Sequence, residues 1–443
     1  MVLIIGHGGA KEQNQTNRTR QAEVALDDDG SGRFPGFGAD DSAFGAFGAA
    51  GFDIGNLGAM LQQIGAMLQS EDTSAVPKDA VLRVIDDNLG STPPATGHDA
   101  ARFADAVLLA DSWLDRATAL PGGGVLDVWT PREWIDRTVD QWLAVVTPLA
   151  ERASTALSAP ADGGADAAGL PAEVTAMLAG PMGAMVQRIG AMIFASQVGQ
   201  GLVALSSSVL TTADLAVPLA PPGVSAVVAA NVDQIATDWG VPPGDVDLYL
   251  VLRTRAHQRL ASHAQWLMGR FTAAVDEYAR GLRTEVGQIQ QQLSGLDLTD
   301  PDALSQAMAS GVFAPAETPE QLAAQARVET LVALIDGWVD HVVTQAAQAM
   351  ASVPALLEAL RRRRAVGGPA EQAFAALIGL ELRPRRLREA SELWERLERE
   401  RGLDGRDAVW NHPDLLPTSD DLDDPTVFLA DGSWDISEID ELP

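Results

Sequence analysis

The residues best placed to do chemistry lie in two apolar-rich stretches that read as helices. The first, residues 247–260, carries Arg253, Thr254 and His257, and a 3.6-residue period places these three side chains on one face. A neutral imidazole is a metal ligand and, near neutral pH, a general base. This face therefore predicts either a metal site or a histidine with a structural role.

A zinc-binding helix of the form His-Glu-x-x-His works because histidines four residues apart grip one ion while the glutamate polarises its bound water. Residues 253–257, Arg-Thr-Arg-Ala-His, stand in that frame, so an arginine replaces the first histidine and Thr254 replaces the glutamate. His263 lies six residues beyond His257 and points to another face. The helix alone favours a structural histidine over a zinc ligand.

The second stretch, residues 329–341, aligns three carboxylates. Steps of seven and four residues place Glu329, Asp336 and Asp340 close to one stripe of a largely apolar helix. Aligned like charges repel unless they face water, meet cations or bind a metal. Three interpretations stay open: a solvated stripe, an ion-pair network with the arginines of the first helix, or zinc ligands beside its histidine.

The metal interpretation assigns zinc to His257, Asp336 and Glu329, with the carboxylate coming from the second helix. The arginine interpretation pairs the same carboxylates with Arg253 and Arg255. Because only one histidine of the motif is present, the arginine interpretation is favoured. The chain contains no cysteine, so any metal must be held by histidine and carboxylates.

Composition narrows the class of protein and of partner. Of the 443 residues 46% are hydrophobic but only 5% are aromatic, a mixture typical of packed helices. The formal net charge of −30 repels nucleic-acid phosphates and anionic lipid, so neither is expected as a partner. The partner that fits the candidate site is a peptide or protein ligand in a cleft.

The start of the chain and its most apolar segment predict neither secretion nor membrane insertion. The apolar run after Met1 is four residues long, and no small-residue cleavage site follows it, so we expect a cytoplasmic protein. Residues 189–210 carry no formal charge, but glutamines, glycines and consecutive serines interrupt them. A buried core helix is expected there.

Changes in composition divide the chain. In its centre, residues 214–219 and 225–232 are predicted as strands that lead into a helix at 242–267, and a long helix is predicted at about 318–350. The expected fold is mainly α with a small mixed β-sheet (α+β). The predicted segments are a Gly/Asp-rich disordered arm at 1–53, an N-terminal helical region at 54–156, a linker at 157–170, a central region at 171–350, a C-terminal helical region at 351–417 and an acidic disordered tail at 418–443.

Local signals mark individual helices. Residues 130–133, Thr-Pro-Arg-Glu, form a helix start with a capping Thr, Pro at the first helical position and Glu at the third. Residues 361–364, four arginines before Gly-Gly-Pro, predict a helix end in preference to a nucleic-acid patch. Residues 183–193 echo residues 58–68, which we interpret as the recurrence of small and Met residues that pack closely.

A set of motifs spread over residues 55–430 is shared with one protein family. The motifs are Asp111-Ser-Trp-Leu-Asp115, Ala195–Gly199, the segment around His257, Glu277–Gly281, Gly337-Trp338, Gly379–Ala390, Arg406-Asp407, Trp410, His412–Pro417 and Asp421–Pro425. With them the chain resembles actinobacterial zincin-like proteins described as zinc-dependent metalloproteases. Some of those proteins carry a label linking them to deazaflavin-coenzyme biosynthesis.

The resemblance implies a zincin-like core: a small mixed sheet, an active-site helix holding His257, and a surrounding helical shell. It also implies a zinc cofactor and a peptide bond as substrate. Members typically read Arg-Glu-x-x-His in that helix, and here Thr254 replaces the glutamate as well. A threonine hydroxyl is no general base at neutral pH without a neighbour to take its proton. The prediction is a metallopeptidase relative with a degenerate zinc motif; the alternative is a catalytically silent scaffold or binding protein that uses the former cleft.

Overall fold

A computed structural model of the chain describes residues 74–92, 94–158, 181–236, 238–294, 319–365, 375, 377 and 386–430. All of them belong to one unit, residues 52–443. The predicted arm at 1–53, most of the predicted linker at 157–170 and the end of the predicted tail lie outside the described residues.

Helices dominate the described chain, as its Ala- and Leu-rich composition predicts. The elements in chain order are α1 (Lys78–Asn88), α2 (Gly97–Leu114), β1 (Val125–Trp129), α3 (Pro131–Ser158), α4 (Pro181–Ser206), β2 (Val224–Val228), α5 (Ala229–Ala236), α6 (Pro243–His263), α7 (Leu267–Ser294), α8 (Pro319–Ala346), α9 (Val353–Ala365), α10 (Leu387–Asp407), α11 (Ser419–Asp423) and α12 (Thr426–Ala430). Short 3₁₀ helices at Ala408–Asn411 and Pro413–Leu415 follow α10. The prediction of a mainly α fold with a small sheet is confirmed.

The sheet consists of β1 and β2, which pair in parallel from Val125 opposite Val224 to Trp129 opposite Val228. An isolated antiparallel bridge lies beside β2. Strand β1 was not predicted, because it is only five residues long. Its burial rises steadily from one end to the other and does not alternate, so the two-residue period that identifies a strand is absent.

The strand predictions were partly wrong. Residues 214–219 form turns and bends, because Ala216 adopts a positive φ of 55° and Pro218 has no backbone N–H to donate to a ladder. Of residues 225–232, the last four belong to α5. Apolar content alone does not distinguish a strand from a short buried helix, and these four residues are helical.

Helix starts follow the local signals more closely. The backbone N–H of Thr130 donates to the Glu133 carboxylate at 2.8 Å, and the N–H of Glu133 donates to the Thr130 hydroxyl at 3.1 Å. This is the predicted reciprocal cap at the start of α3. Pro243 is the first residue of α6, and α8 covers most of the helix predicted at 318–350.

The helix that carries the candidate site, α6, is surrounded by protein. It packs against α2, α8 and β2, and its side chains are buried from Tyr249 to Leu260. Gln258 fixes it under the sheet, since its amide donates to the Gly223 carbonyl at 2.7 Å and accepts from the Ser225 hydroxyl at 2.9 Å. Because α6 has no solvated face along this stretch, its charged side chains need partners inside the protein.

The first part of the predicted disordered tail, as far as residue 430, is ordered and partly helical. Helices α11 and α12 lie within the predicted tail, and their Leu422 and Phe428 are buried. The Arg401 guanidinium of α10 donates to the backbone carbonyl of Phe428 at 2.9 Å. These two apolar side chains hold the acidic segment against the protein as far as residue 430.

Helix α4 is buried over only part of its length. Ala195 and Val198 are buried, and Gly199 lies against Val84 of α1. Within the described residues one segment, Gln187–Ser206, is long and apolar enough to cross a membrane by length and composition, and 33% of its most apolar window is buried. The expected buried core helix therefore describes the C-terminal half of α4 alone.

Helices α8 and α10 cross closely at Gly337. A β-carbon at this position would lie 2.8 Å from the β-carbon of Ala390 and 3.0 Å from the backbone nitrogen of Ser391. We expect Gly337→Ala to lower the free energy of unfolding by about 1–3 kcal/mol in urea denaturation, because the two backbones must separate. Gly269→Ala in α7, where a β-carbon meets nothing within 4 Å, is the control and should be neutral or stabilising. Equal losses in both variants would contradict the close crossing.

Candidate functional site

His257 lies inside the protein with its imidazole hydrogen-bonded to the backbone of Ala216. Desolvation lowers the pKa of the imidazole to about 4; the hydrogen bond opposes this shift, and the charges of Arg253 and Arg364 add to it. The ring is therefore neutral at neutral pH. A zinc ion bound to it would sit close to two permanent cations.

Thr254, at the glutamate position of the zinc motif, is turned back onto its own helix. Its buried hydroxyl donates a 2.7 Å hydrogen bond to the carbonyl of Leu250. This back-bond is common for threonine inside helices. A carbonyl oxygen does not accept a proton at neutral pH, so Thr254 has no partner that would make it a general base.

Arg253, at the position of the first motif histidine, occupies the centre of the site. Its side chain is only 5% exposed. The guanidinium forms ion pairs with both carboxylates of the α8 stripe that point inward: Asp336 at 3.3 Å and Asp340, to which it also donates a hydrogen bond. The arginine interpretation of the stripe therefore describes these two carboxylates.

Two further arginines reach the same carboxylates from α9. Arg364 contacts Asp336 at 2.9 Å, and Arg361 contacts Asp340 at 3.5 Å. This arginine run was predicted as a helix end and lies in the last described turn of α9, but its contribution to the site was not predicted. The signal was the three-residue spacing of these two arginines, which places both on one helix face.

The charges of this network are coupled. Desolvation lowers the pKa of Arg253, but attraction to the carboxylates of Asp340 and Asp336 outweighs it, so the pKa is raised and the guanidinium stays charged. Desolvation raises the pKa of Asp336 against the attraction of Arg364 and Arg253. Burial also raises the pKa of Tyr249 to about 12, which keeps its phenol protonated. At neutral pH the network therefore contains a charged Arg253 and a protonated Tyr249 phenol.

Arg255 does not join the stripe, contrary to the arginine interpretation. Its guanidinium donates to both carboxylate oxygens of Asp111 on α2, at 3.0 and 2.8 Å. Arg259, one turn further along α6, contacts Asp111 at 3.2 Å and Asp115 at 2.8 Å. The buried arginines of α6 therefore pair with carboxylates on two different sides of the helix, because side chains two residues apart on a helix point in different directions.

Glu329, the third carboxylate of the stripe, has a different partner. Its carboxylate accepts a 2.8 Å hydrogen bond from the Gln325 side chain, one turn away on α8. Within the described part of the chain no group of three histidine or carboxylate side chains could hold a metal ion. With Asp336 paired to arginines and His257 bonded to backbone, the residues predicted as zinc ligands do not fit a zinc ion.

A second buried network joins α8 and α10 to the loop that follows α2. The Asp407 carboxylate accepts hydrogen bonds from the Thr118 hydroxyl at 2.6 Å, the Ala119 backbone N–H at 2.8 Å and the Trp338 indole N–H at 2.9 Å. It also pairs with Arg406, whose side chain is completely buried. This network joins the C-terminal region to the N-terminal one, which gives the Arg-Asp motif a structural role.

Comparison with known proteins gives two matches. The family model described as zincin-like metallopeptidase matches residues 76–429. A solved structure from Chloroflexus aurantiacus, described as a candidate hydrolase with a novel fold, is similar over 82% of this chain and 97% of its own, with 18% sequence identity and a TM-score of 0.52. At that identity the likeness shows the fold. A search of the curated proteins gives no match.

Proposed function

Because the chain belongs to the zincin-like metallopeptidase family, we propose that it is a non-hydrolytic member, which keeps the family fold and works by binding a peptide or protein ligand. One observation carries this proposal. The guanidinium of Arg253, at the position of the first motif histidine, pairs with Asp336 and Asp340, the carboxylates that could otherwise have served a metal.

The arginine supplies the positive charge that a metal would bring to these carboxylates. Two buried carboxylates a turn apart on α8 destabilise the fold unless cations compensate them. Arg253 and Arg364 provide that compensation from α6 and α9. Because these arginines already compensate the carboxylates, the fold does not need zinc for stability. The same arginines would repel a divalent cation placed beside them.

The site also lacks a general base, which is the second component that peptide hydrolysis requires. A zinc peptidase needs a base that takes a proton from the attacking water. Thr254 donates its hydroxyl hydrogen to Leu250 and cannot fill that role. The site therefore supports positioning of helices better than it supports bond cleavage.

The ligand is expected to contact the helices around α6, since α6 is buried from Tyr249 to Leu260. The net charge of −30 favours a ligand with basic residues, which the surface field would attract. Binding of this kind weakens as salt screens the field. A basic peptide or a basic protein segment is the proposed class of ligand.

Zinc content tests the proposal. Untagged protein purified without chelator should contain far less than one equivalent of zinc by mass spectrometry, because Arg253 and Arg364 oppose a cation beside His257. His257→Ala, the matched variant, should give the same low value. Near-stoichiometric zinc in the native chain that disappears in His257→Ala would sink the proposal.

Panning a peptide display library against the protein tests the second part of the proposal, which is the binding of a peptide or protein ligand. We expect enrichment of basic peptides, recovered at full length, with retention that falls as salt is raised. Recovery of cleaved peptides would restore the peptidase prediction. Absence of any enrichment would leave the zinc result standing and remove the binding role.

A further inference from the structure

The two outer edges of the sheet differ in how completely their backbone groups are paired. Beyond β2, residues 210–212 fill the edge: the Thr212 N–H donates to the Ala226 carbonyl at 3.0 Å, and the Val228 N–H donates to the Leu210 carbonyl at 2.8 Å. The Ala226 N–H donates to the Thr212 hydroxyl at 3.1 Å. The chain itself therefore occupies the edge beyond β2.

The outer edge of β1 is unpaired within the described part of the chain. The backbone groups of successive residues in a strand point alternately toward and away from its partner. The Val125 N–H donates to the carbonyl of Gly223, just before β2, at 2.9 Å, so the N–H and C=O groups of Leu126 and Val128 point away from β2. None of these four groups has a hydrogen-bond partner among the described residues. Unpaired groups of this kind are a template for a further strand.

The burial of the two strands shows that solvent reaches this edge. Val125 is 58% exposed and the next three residues of β1 are partly buried, whereas four of the five residues of β2 are buried. A parallel strand that is covered on both faces and paired on both edges is buried throughout. The free edge of β1 therefore lies at the surface, where an added strand can reach it.

Asp127, in the middle of β1, gives this edge a preference for positive charge. Its side chain is 37% exposed. One carboxylate oxygen, Oδ2, accepts from the Trp129 indole N–H and from the Arg137 guanidinium, each at 3.3 Å, and Oδ1 has no hydrogen-bond partner in the described residues. The residue opposite Asp127 on an added strand has its side chain on the same face, so a Lys or Arg there meets this carboxylate. The net charge of −30 attracts the same class of ligand.

We propose that β1 binds an extended basic segment of a partner protein as an added strand, which pairs with the outward backbone groups of Leu126 and Val128 and places a Lys or Arg opposite Asp127. The inference rests on the proposed function and names the surface that binds the ligand. This edge lies beside α6, whose Gln258 amide donates to the Val125 carbonyl at 3.4 Å. Backbone pairing supplies affinity for many sequences, and Asp127 selects the basic side chain.

Alternate N-methylation of a peptide probe tests strand addition directly. The probe is the acetylated and amidated heptapeptide Lys-Thr-Val-Lys-Val-Thr-Lys, titrated into the full chain by isothermal titration calorimetry. One version carries N-methyl groups on its two valines and the other on its two threonines. One of these pairs should weaken binding by about tenfold or more, because its nitrogens face β1, and the other should leave binding unchanged, because its nitrogens face solvent.

Two outcomes would overturn strand addition: equal effects of the two methylated versions, or no binding of the unmodified probe. If panning of the display library nevertheless enriches basic peptides, the proposed function stands and only the assignment to β1 fails. The two failures are therefore distinguishable.

Substitutions in β1 test the surface from the side of the protein. Leu126→Pro removes an outward N–H without breaking the ladder to β2, and should weaken binding of the probe by about tenfold. Asp127→Asn should weaken binding by about threefold and reduce its salt dependence. This second variant keeps the test valid if the proline variant does not fold. Glu395→Gln, which removes an exposed carboxylate from α10, is the control and should bind the probe like the native chain. Native affinity in Asp127→Asn together with Leu126→Pro would place the probe elsewhere and refute the inference.

Discussion

Replacing Arg253 by leucine is expected to lower the free energy of unfolding by about 3–5 kcal/mol, measured by urea denaturation followed by far-UV circular dichroism. The guanidinium is the cation between Asp336 and Asp340, and its removal leaves two buried carboxylates with only the α9 arginines to compensate them. The loss exceeds that of a surface ion pair because the remaining charges cannot be rehydrated.

Two further variants separate this effect from a simple loss of charge. Arg132→Leu removes an arginine with a side chain 39% exposed that also pairs with two carboxylates, Asp86 and Asp136, and should cost no more than about 1 kcal/mol. Arg253→Leu combined with Asp340→Leu should recover part of the loss, since an apolar pair replaces the unpaired charge. A loss in Arg253→Leu as small as that in Arg132→Leu would show that the network is solvated and refute its role as a substitute for a metal.

Asp407→Ala is expected to lower the free energy of unfolding by a similar amount, about 3–5 kcal/mol. The substitution leaves the Thr118 hydroxyl, the Ala119 N–H and the Trp338 indole N–H without an acceptor, and Arg406 without its neighbouring carboxylate. Unpaired donors in the interior each cost about 1–3 kcal/mol, and these four act on one site. Guanidinium denaturation with tryptophan fluorescence as the probe measures the loss.

Tryptophan fluorescence also reports which part of the structure the substitution changes. Trp338 lies edge-on to Trp410, which in turn stacks on Trp394, so release of the Trp338 indole should change the emission of this cluster. Asp404→Ala, an exposed position on the same helix α10, is the control and should change neither stability nor emission. Native stability in Asp407→Ala would mean that its donors find other acceptors and that the motif does not join the two regions.

The catalytic interpretation and the structural one differ in what they predict for α6. A metallopeptidase helix exposes its ligands to a cleft so that substrate and water can enter. In this chain the corresponding positions hold a buried arginine, a back-bonded threonine and a buried neutral histidine. The fold of the family is thus retained around a centre whose contacts are those of a structural ion-pair network.

Several features of the fold could be predicted from local sequence. The Thr130 cap, the proline start of α6 and the arginine end of α9 are each determined by residues within one helical turn, so their signals survive without tertiary information. The strand β1 and the short helix α5 were missed, because a five-residue element is decided by what it packs against.

The candidate site shows the same division between short-range and long-range information. From the sequence alone, helical periodicity placed Arg253, Thr254 and His257 on one helix and aligned the carboxylates on another, and the altered motif followed directly from residue identity. The partners of those carboxylates were decided only by tertiary structure: Asp336 meets Arg364, Asp340 meets Arg361, and Arg255 turns away to Asp111. The physical reason is that charge attraction depends on distance and solvation, which helical spacing fixes within one helix and only packing fixes between helices.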